Sequence, residues 1–94
     1  RQVRDFWGAV GWQVHVEDVG GTVLADTAAL HLALSTPLEN RRASWLSHAH
    51  LVDDFAPGQG ARNEGGMVRL SGESPGIGVE PPEDWLGEPV AVYR

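Results

Sequence analysis

The sequence contains no cysteine and no lysine. The first absence excludes disulfides, thiolate nucleophiles and cysteine-ligated zinc. The second excludes a Schiff-base lysine, a lysine general base and a P-loop lysine within these residues. Every basic residue is an arginine: Arg1, Arg4, Arg41, Arg42, Arg62, Arg69 and Arg94. Acids outnumber bases 13 to 7, for a net charge of -6. That balance repels nucleic-acid phosphates and anionic lipid headgroups, so neither nucleic acid nor membrane is an expected partner. No apolar run approaches the roughly 20 residues that span a bilayer. The opening RQVRDFW lacks the apolar stretch of a secretory signal, and a cytoplasmic location is expected.

What is present fits one small domain or part of a larger one. A chain of 94 residues buries roughly 60–70% of its unfolded surface, so independent folding is allowed but not assured. Val3, Phe6, Trp7 and Val10 fall at i, i+3, i+4 and i+7, which predicts a helix over 1–10 with one apolar face. Gly11 stands where a helix C-terminus favours glycine. WQVHVE (12–17) then alternates as a strand, with Trp12, Val14 and Val16 on one side and Gln13, His15 and Glu17 on the other. Gly20, Gly21 and Thr22 break it. The Ala- and Leu-rich run 23–35 predicts a well-buried helix. Thr36, Pro37 and Glu39 have capping-box spacing for a short helix, which Arg41 and Arg42 would close. Residues 43–51, ASWLSHAHL, read as a second strand. Strands alternating with helices predict parallel pairing. Two parallel strands are not a stable sheet alone, so this half reads as a slice of a larger α/β structure.

Composition changes after residue 52. Five of the six prolines and eight of the twelve glycines lie at 57–94, so loops and turns are expected there. MVRLS (67–71) and PVAVYR (89–94) read as short strands, PEDWLG (82–87) as one helical turn, and APGQGARNEGG as a structured loop.

Four groups of residues carry candidate chemistry. Gln13, His15 and Glu17 make one strand face polar to its end. A buried parallel strand is usually apolar on both faces. Such a face fits either a solvated edge or the inner wall of a TIM barrel, whose active site lies at the strands' C-terminal ends. Asp18, Gly20, Gly21 and Thr22 precede a helix and suit either a cap or an anion site. His48 and His50 form an H-x-H pair that, on one strand face, could bind zinc with Glu17 or Asp18. His31, amid Ala and Leu, reads as a packed or capping histidine. The four tryptophans, 7, 12, 45 and 85, read as packing residues.

HVEDVGGTVLADTAALHLALSTP, RRASWLSH, APGQGARNEGG and the terminal PGIGVEPPEDWLGEPVAVY together resemble the C-terminal end of an enolase-superfamily enzyme. They are most similar to the mandelate racemase/muconate lactonizing enzyme group. PGIGVE (75–80) is the most general mark. The run at 15–37 looks closest to hydroxyproline dehydratases and proline-betaine epimerases. The resemblance implies an α/β fold that is the C-terminal slice of a TIM barrel, its last two strands and flanking helices. Residues 1–52 would belong to the barrel, and 53–94 would be a Gly/Pro-rich tail returning to an α+β capping domain.

The resemblance also implies the chemistry: abstraction of the proton α to a carboxylate through an enediolate, by a Mg²⁺-dependent racemase, epimerase or dehydratase. The magnesium ligands and both acid/base lysines would lie on strands outside these residues, so the segment alone would be inactive. Glu17 matches a pocket glutamate at the end of the seventh strand. His15 is a second candidate, two residues deeper, by analogy with a histidine base on that strand. Ser47 and His48, on the eighth strand, are candidates for substrate binding. A small-molecule carboxylate is the implied substrate, and the whole enzyme would be a homo-oligomer. Two other readings stand beside this one: a self-contained α/β binding module, and a zinc hydrolase built on His48, His50 and Glu17.

Overall fold

The computed structural model describes residues 1–93. Helix α1 (Gln2–Ala9) and helix α2 (Val23–Leu34) form where apolar periodicity and Ala/Leu content place them. Between them residues 12–17 are extended, with Val14 and Val16 half-buried and Gln13, His15 and Glu17 exposed. The alternation therefore survives, although the strand is reduced to one parallel bridge, Val14 to Arg41. Val14 N–H donates to Asn40 O (2.7 Å), and Arg42 N–H donates to Val14 O (2.9 Å). The Asn40 amide adds a bond to Trp12 O (3.2 Å).

Three expectations in this half are corrected. The capping box does not form: Thr36 Oγ1 donates back to Leu32 O (2.9 Å) at the end of α2. Only a 3-10 turn, Leu38–Asn40, follows, without a side-chain cap. Arg41 is extended and belongs to the parallel pair rather than to a helix end. The strand at 43–51 is replaced by an irregular segment and a second 3-10 turn, His48–His50. The amide of His48, which a strand would offer to a neighbour, donates instead to the Asp26 carboxylate (2.8 Å).

The second half holds a hairpin, β1 (Ala61–Glu64) and β2 (Met67–Leu70), paired antiparallel from Ala61–Leu70 to Glu64–Met67. Strand β2 was expected; β1 lies inside what reads as a loop. Gly65 and Gly66 both have positive φ (59° and 82°), the backbone of a two-residue hairpin turn that other residues adopt reluctantly. Helix α3 (Glu83–Leu86) is the expected single turn, with Trp85 against Phe55 at 5.2 Å between centroids. Residues 89–93 form no strand. Among the described residues no strand pairs with them, and Val90, Val92 and Tyr93 are exposed. Arg94 lies outside the described residues.

The core is small: Leu30, Ala33, Leu46 and Ala61, with Val16, Val68 and Leu70 against it. It joins α2 to the hairpin and to both extended segments. Helix α2 buries Val23, Asp26, Thr27, Leu30 and Ala33, one helical face rather than the whole circumference. Helix α1 buries no residue, and Val3 and Phe6 stand open to solvent. Of its apolar side chains at 3, 6, 7 and 10, Trp7 alone is half-covered, by stacking on Trp12 at 4.6 Å.

The tail is fastened to α2 by side chains. Thr27 Oγ1 donates to Val23 O (2.5 Å) and accepts from Ala61 N–H (2.8 Å). His31 Nε2 meets Ile77 O (3.1 Å), so that nitrogen carries the proton. Glu80 N–H donates to Gln59 Oε1 (2.8 Å). PGIGVE is thus docked beside the APGQG loop. The molecule remains open. Its radius of gyration is 15.1 Å, against about 12 Å for a compact domain of this length.

Candidate functional site

The extended segment 12–17 and the turn after Trp45 end on the same side of the molecule. Between their ends lies a cleft of about 330 Å³. Glu17, Asp18, Val19 and Gly20 form one wall, and Trp45, Ser47, His50 and Leu51 form the other. The alternation of VHVEDVGGT produces the first wall: Glu17 is half-exposed on the polar face, and the chain then turns at Gly20 into α2. On the second wall the Trp45 ring stacks on His50 with centroids 5.6 Å apart.

His15 and Glu17 project from the same face, with Nε2 to Oε2 at 3.5 Å. Both side chains are nearly half exposed, so water screens their attraction. Asp18 turns toward the start of α2, and its Oδ2 is buried with no hydrogen-bond partner. Thr22 occupies the N-cap position without a side-chain bond. A carboxylate over this helix end opposes the binding of a further anion there.

Ser47 lines the cleft, whereas the His48 ring is held by Asp26 and the His50 ring by Trp45. His48 Nδ1 lies 2.6 Å from Asp26 Oδ2, and Ser47 Oγ donates to Asp26 Oδ1 (3.1 Å). The zinc arrangement of His48, His50 and Glu17 is therefore not assembled. Among the described residues no three His, Asp, Glu or Cys side chains gather to hold a metal ion. Asp26, 1 % exposed, is the polar residue that sequence reasoning missed. It sits inside the apolar run VLADTAAL, where an acid in the first helical turn reads as a favourable dipole contact. Its only sequence signal is that an exposed acid would interrupt a face otherwise buried.

No family model matches the chain. Relatives of known structure do. A member of the enolase superfamily from Roseovarius nubinhibens ISM is 64% identical over 98% of this chain, with a TM-score of 0.88. The match takes up 25% of that protein. The chain matches the C-terminal quarter of enolase-superfamily proteins. An enolase-superfamily structure from the same organism, complexed with magnesium, matches equally well. A provisionally assigned mandelate racemase/muconate lactonizing enzyme from Silicibacter pomeroyi is 46% identical with a TM-score of 0.86. Cis-3-hydroxy-L-proline dehydratase of Roseibium aggregatum is 36% identical over 91 residues, which are 97% of this chain and 24% of that enzyme. The chain therefore spans about a quarter of the length of its relatives. The α/β slice expected from the resemblance is the observed fold class. The cleft is correspondingly open rather than a closed pocket. Among the described residues, no helix is long and apolar enough to cross a membrane.

Proposed function

We propose that this segment completes a longer enzyme that abstracts the proton α to a carboxylate, as a racemase, epimerase or dehydratase of proline-type amino acids. Residues 1–52 would close the barrel, and 53–94 would return to a capping domain. The observation that carries this reading is the cleft at the ends of the two extended segments, with Glu17 on one wall and Trp45 and Ser47 on the other. A carboxylate and an indole face both attract cations, which suits the ammonium group of an amino-acid substrate. Glu17 acts as the wall carboxylate, stabilising positive charge or relaying a proton. His15 lies two residues deeper on the same face, as a second candidate for acid/base work.

The residues described here do not fit a magnesium site, so its ligands would be acids from other strands of the whole enzyme. There the ion would supply charge stabilisation for the developing enediolate. The 94-residue segment alone is inactive on this reading, and the complete protein is a cytoplasmic homo-oligomer.

The test is Glu17→Gln in the full-length protein. Turnover of proline-type carboxylates should fall by about tenfold or more, while the melting temperature stays unchanged because Glu17 is half-exposed and packs little. Kinetics equal to the unaltered enzyme would remove Glu17 from the site.

A further inference from the structure

Asp26 lies in the first turn of α2, buried and oriented toward the second wall of the cleft. It accepts three hydrogen bonds: from Ser47 Oγ (3.1 Å), from the backbone N–H of His48 (2.8 Å) and from His48 Nδ1 (2.6 Å). A carboxylate can only accept, so Nδ1 is the protonated nitrogen of His48. All three donors belong to the turn that follows Trp45 and Leu46. The opposite wall, Glu17 to Gly20, runs directly into the helix that carries Asp26. One carboxylate therefore connects both walls.

We propose that Asp26 is a positioning residue for the cleft, with His48 as its tether rather than a group that touches substrate. This rests on the reading of the cleft as a substrate site. It has a chemical consequence for Ser47. The Ser47 hydroxyl gives its single proton to Asp26; its other neighbour, Gly21 O, is at 3.5 Å, too far for a strong bond. Toward the cleft Ser47 then presents lone pairs only. It is an acceptor, matched to a substrate N–H or O–H donor such as a secondary ammonium or a ring hydroxyl.

The experiment uses the full-length protein and three variants. Asp26→Asn keeps the shape but points an amide N–H₂ at a hydrogen-bond donor. His48→Leu removes the tether. His48→Asn keeps a donor near the place of Nδ1 and deletes Nε2. The first two should raise KM for a proline-type carboxylate about tenfold or more with a smaller change in kcat. His48→Asn should restore most of what His48→Leu loses. Amide hydrogen exchange read on residues 44–51 should accelerate in Asp26→Asn and His48→Leu, while the hairpin 61–70 keeps its protection. Unchanged exchange at 44–51 in Asp26→Asn overturns the positioning role whatever the substrate is. Should Asp26→Asn fail to fold, the two His48 variants read the same tether from its other end. A His48→Asn enzyme as impaired as His48→Leu shows that Nε2 touches substrate, and overturns the tether. If the unaltered protein turns over no such carboxylate, the site reading fails, and the exchange comparison still decides whether Asp26 holds the turn.

Discussion

On the proposed reading, expressing these residues without the rest of a longer enzyme is the largest perturbation the structure invites, and its size can be worked out. The chain exposes 7125 Å². A compact monomer of its mass, 10.1 kDa, exposes about 5,300 Å². The excess is about 1,800 Å², comparable to a whole specific protein interface. With a little over half of it apolar, covering that excess would contribute about 25 kcal/mol at roughly 25 cal/mol per Å². Small domains have net stabilities of only about 5–15 kcal/mol, so a shortfall of that size exceeds the whole margin. The open areas are specific: Val3 and Phe6 on α1, Val10 at its C-terminal cap, Trp12, Leu38, and the extended residues 12–17 and 40–42, joined by a single bridge. The 94-residue chain expressed alone should therefore be poorly soluble, or molten with weak near-ultraviolet dichroism and strong binding of a hydrophobic dye. Urea titration followed by tryptophan fluorescence, combined with size-exclusion chromatography, is the assay. A sharp cooperative transition of a monomer would refute the reasoning and favour a self-contained module.

Two further outcomes concern the attachment of the tail to α2, both read by denaturant unfolding of the full-length protein. A Cβ on Gly60 would stand 2.2 Å from Thr27 Oγ1 and 2.5 Å from Val79 Cγ2, at φ +63°. Gly60→Ala should cost about 2–5 kcal/mol, from left-handed strain plus overlap. Gly58→Ala, at φ +78° with open space around it, should cost only the strain, about 1–2 kcal/mol; equal losses would show that the overlap is relieved without cost. Thr27→Val removes the acceptor of Ala61 N–H at a position that is 0% exposed. It should destabilise by about 1–3 kcal/mol, and a neutral result would mean that this amide finds another partner.

The elements that could be read from sequence are those whose signal is local. Helix α2 follows from composition, α1 from spacing, and the polar face Gln13, His15 and Glu17 from simple alternation. Two of the failures have one cause: a donor was diverted from the expected partner, in one case within the same helix end and in the other far along the chain. Thr36 has capping-box spacing, but the free carbonyl of Leu32 takes its hydroxyl proton. ASWLSHAHL has strand composition, but its amide at His48 is diverted to Asp26, 22 residues earlier. Strand β1 was hidden because ARNE has little β-propensity of its own. Gly65-Gly66, the strongest hairpin signal nearby, was the clue that could have found it.

The candidate site shows the same division at finer scale. Glu17 could be placed on a wall because its position depends only on the strand's period and the turn that ends it. Ser47 could be placed near the cleft but its chemistry could not, because whether it donates or accepts depends on Asp26. Asp26 itself draws no notice in the sequence, because an acid in the first turn of a helix is favourable without a partner. A buried carboxylate is tolerated only where charge-assisted hydrogen bonds replace its water, and here three donors from one turn do so. Each of those donors is unremarkable in sequence. What converts them into a site wall is the closure between residue 26 and residues 47–48, which the parallel pairing of Val14 with Arg41 brings within reach. The polar node is thus a consequence of topology, and it holds in place the one cleft residue, Ser47, whose hydrogen-bonding sense it also dictates.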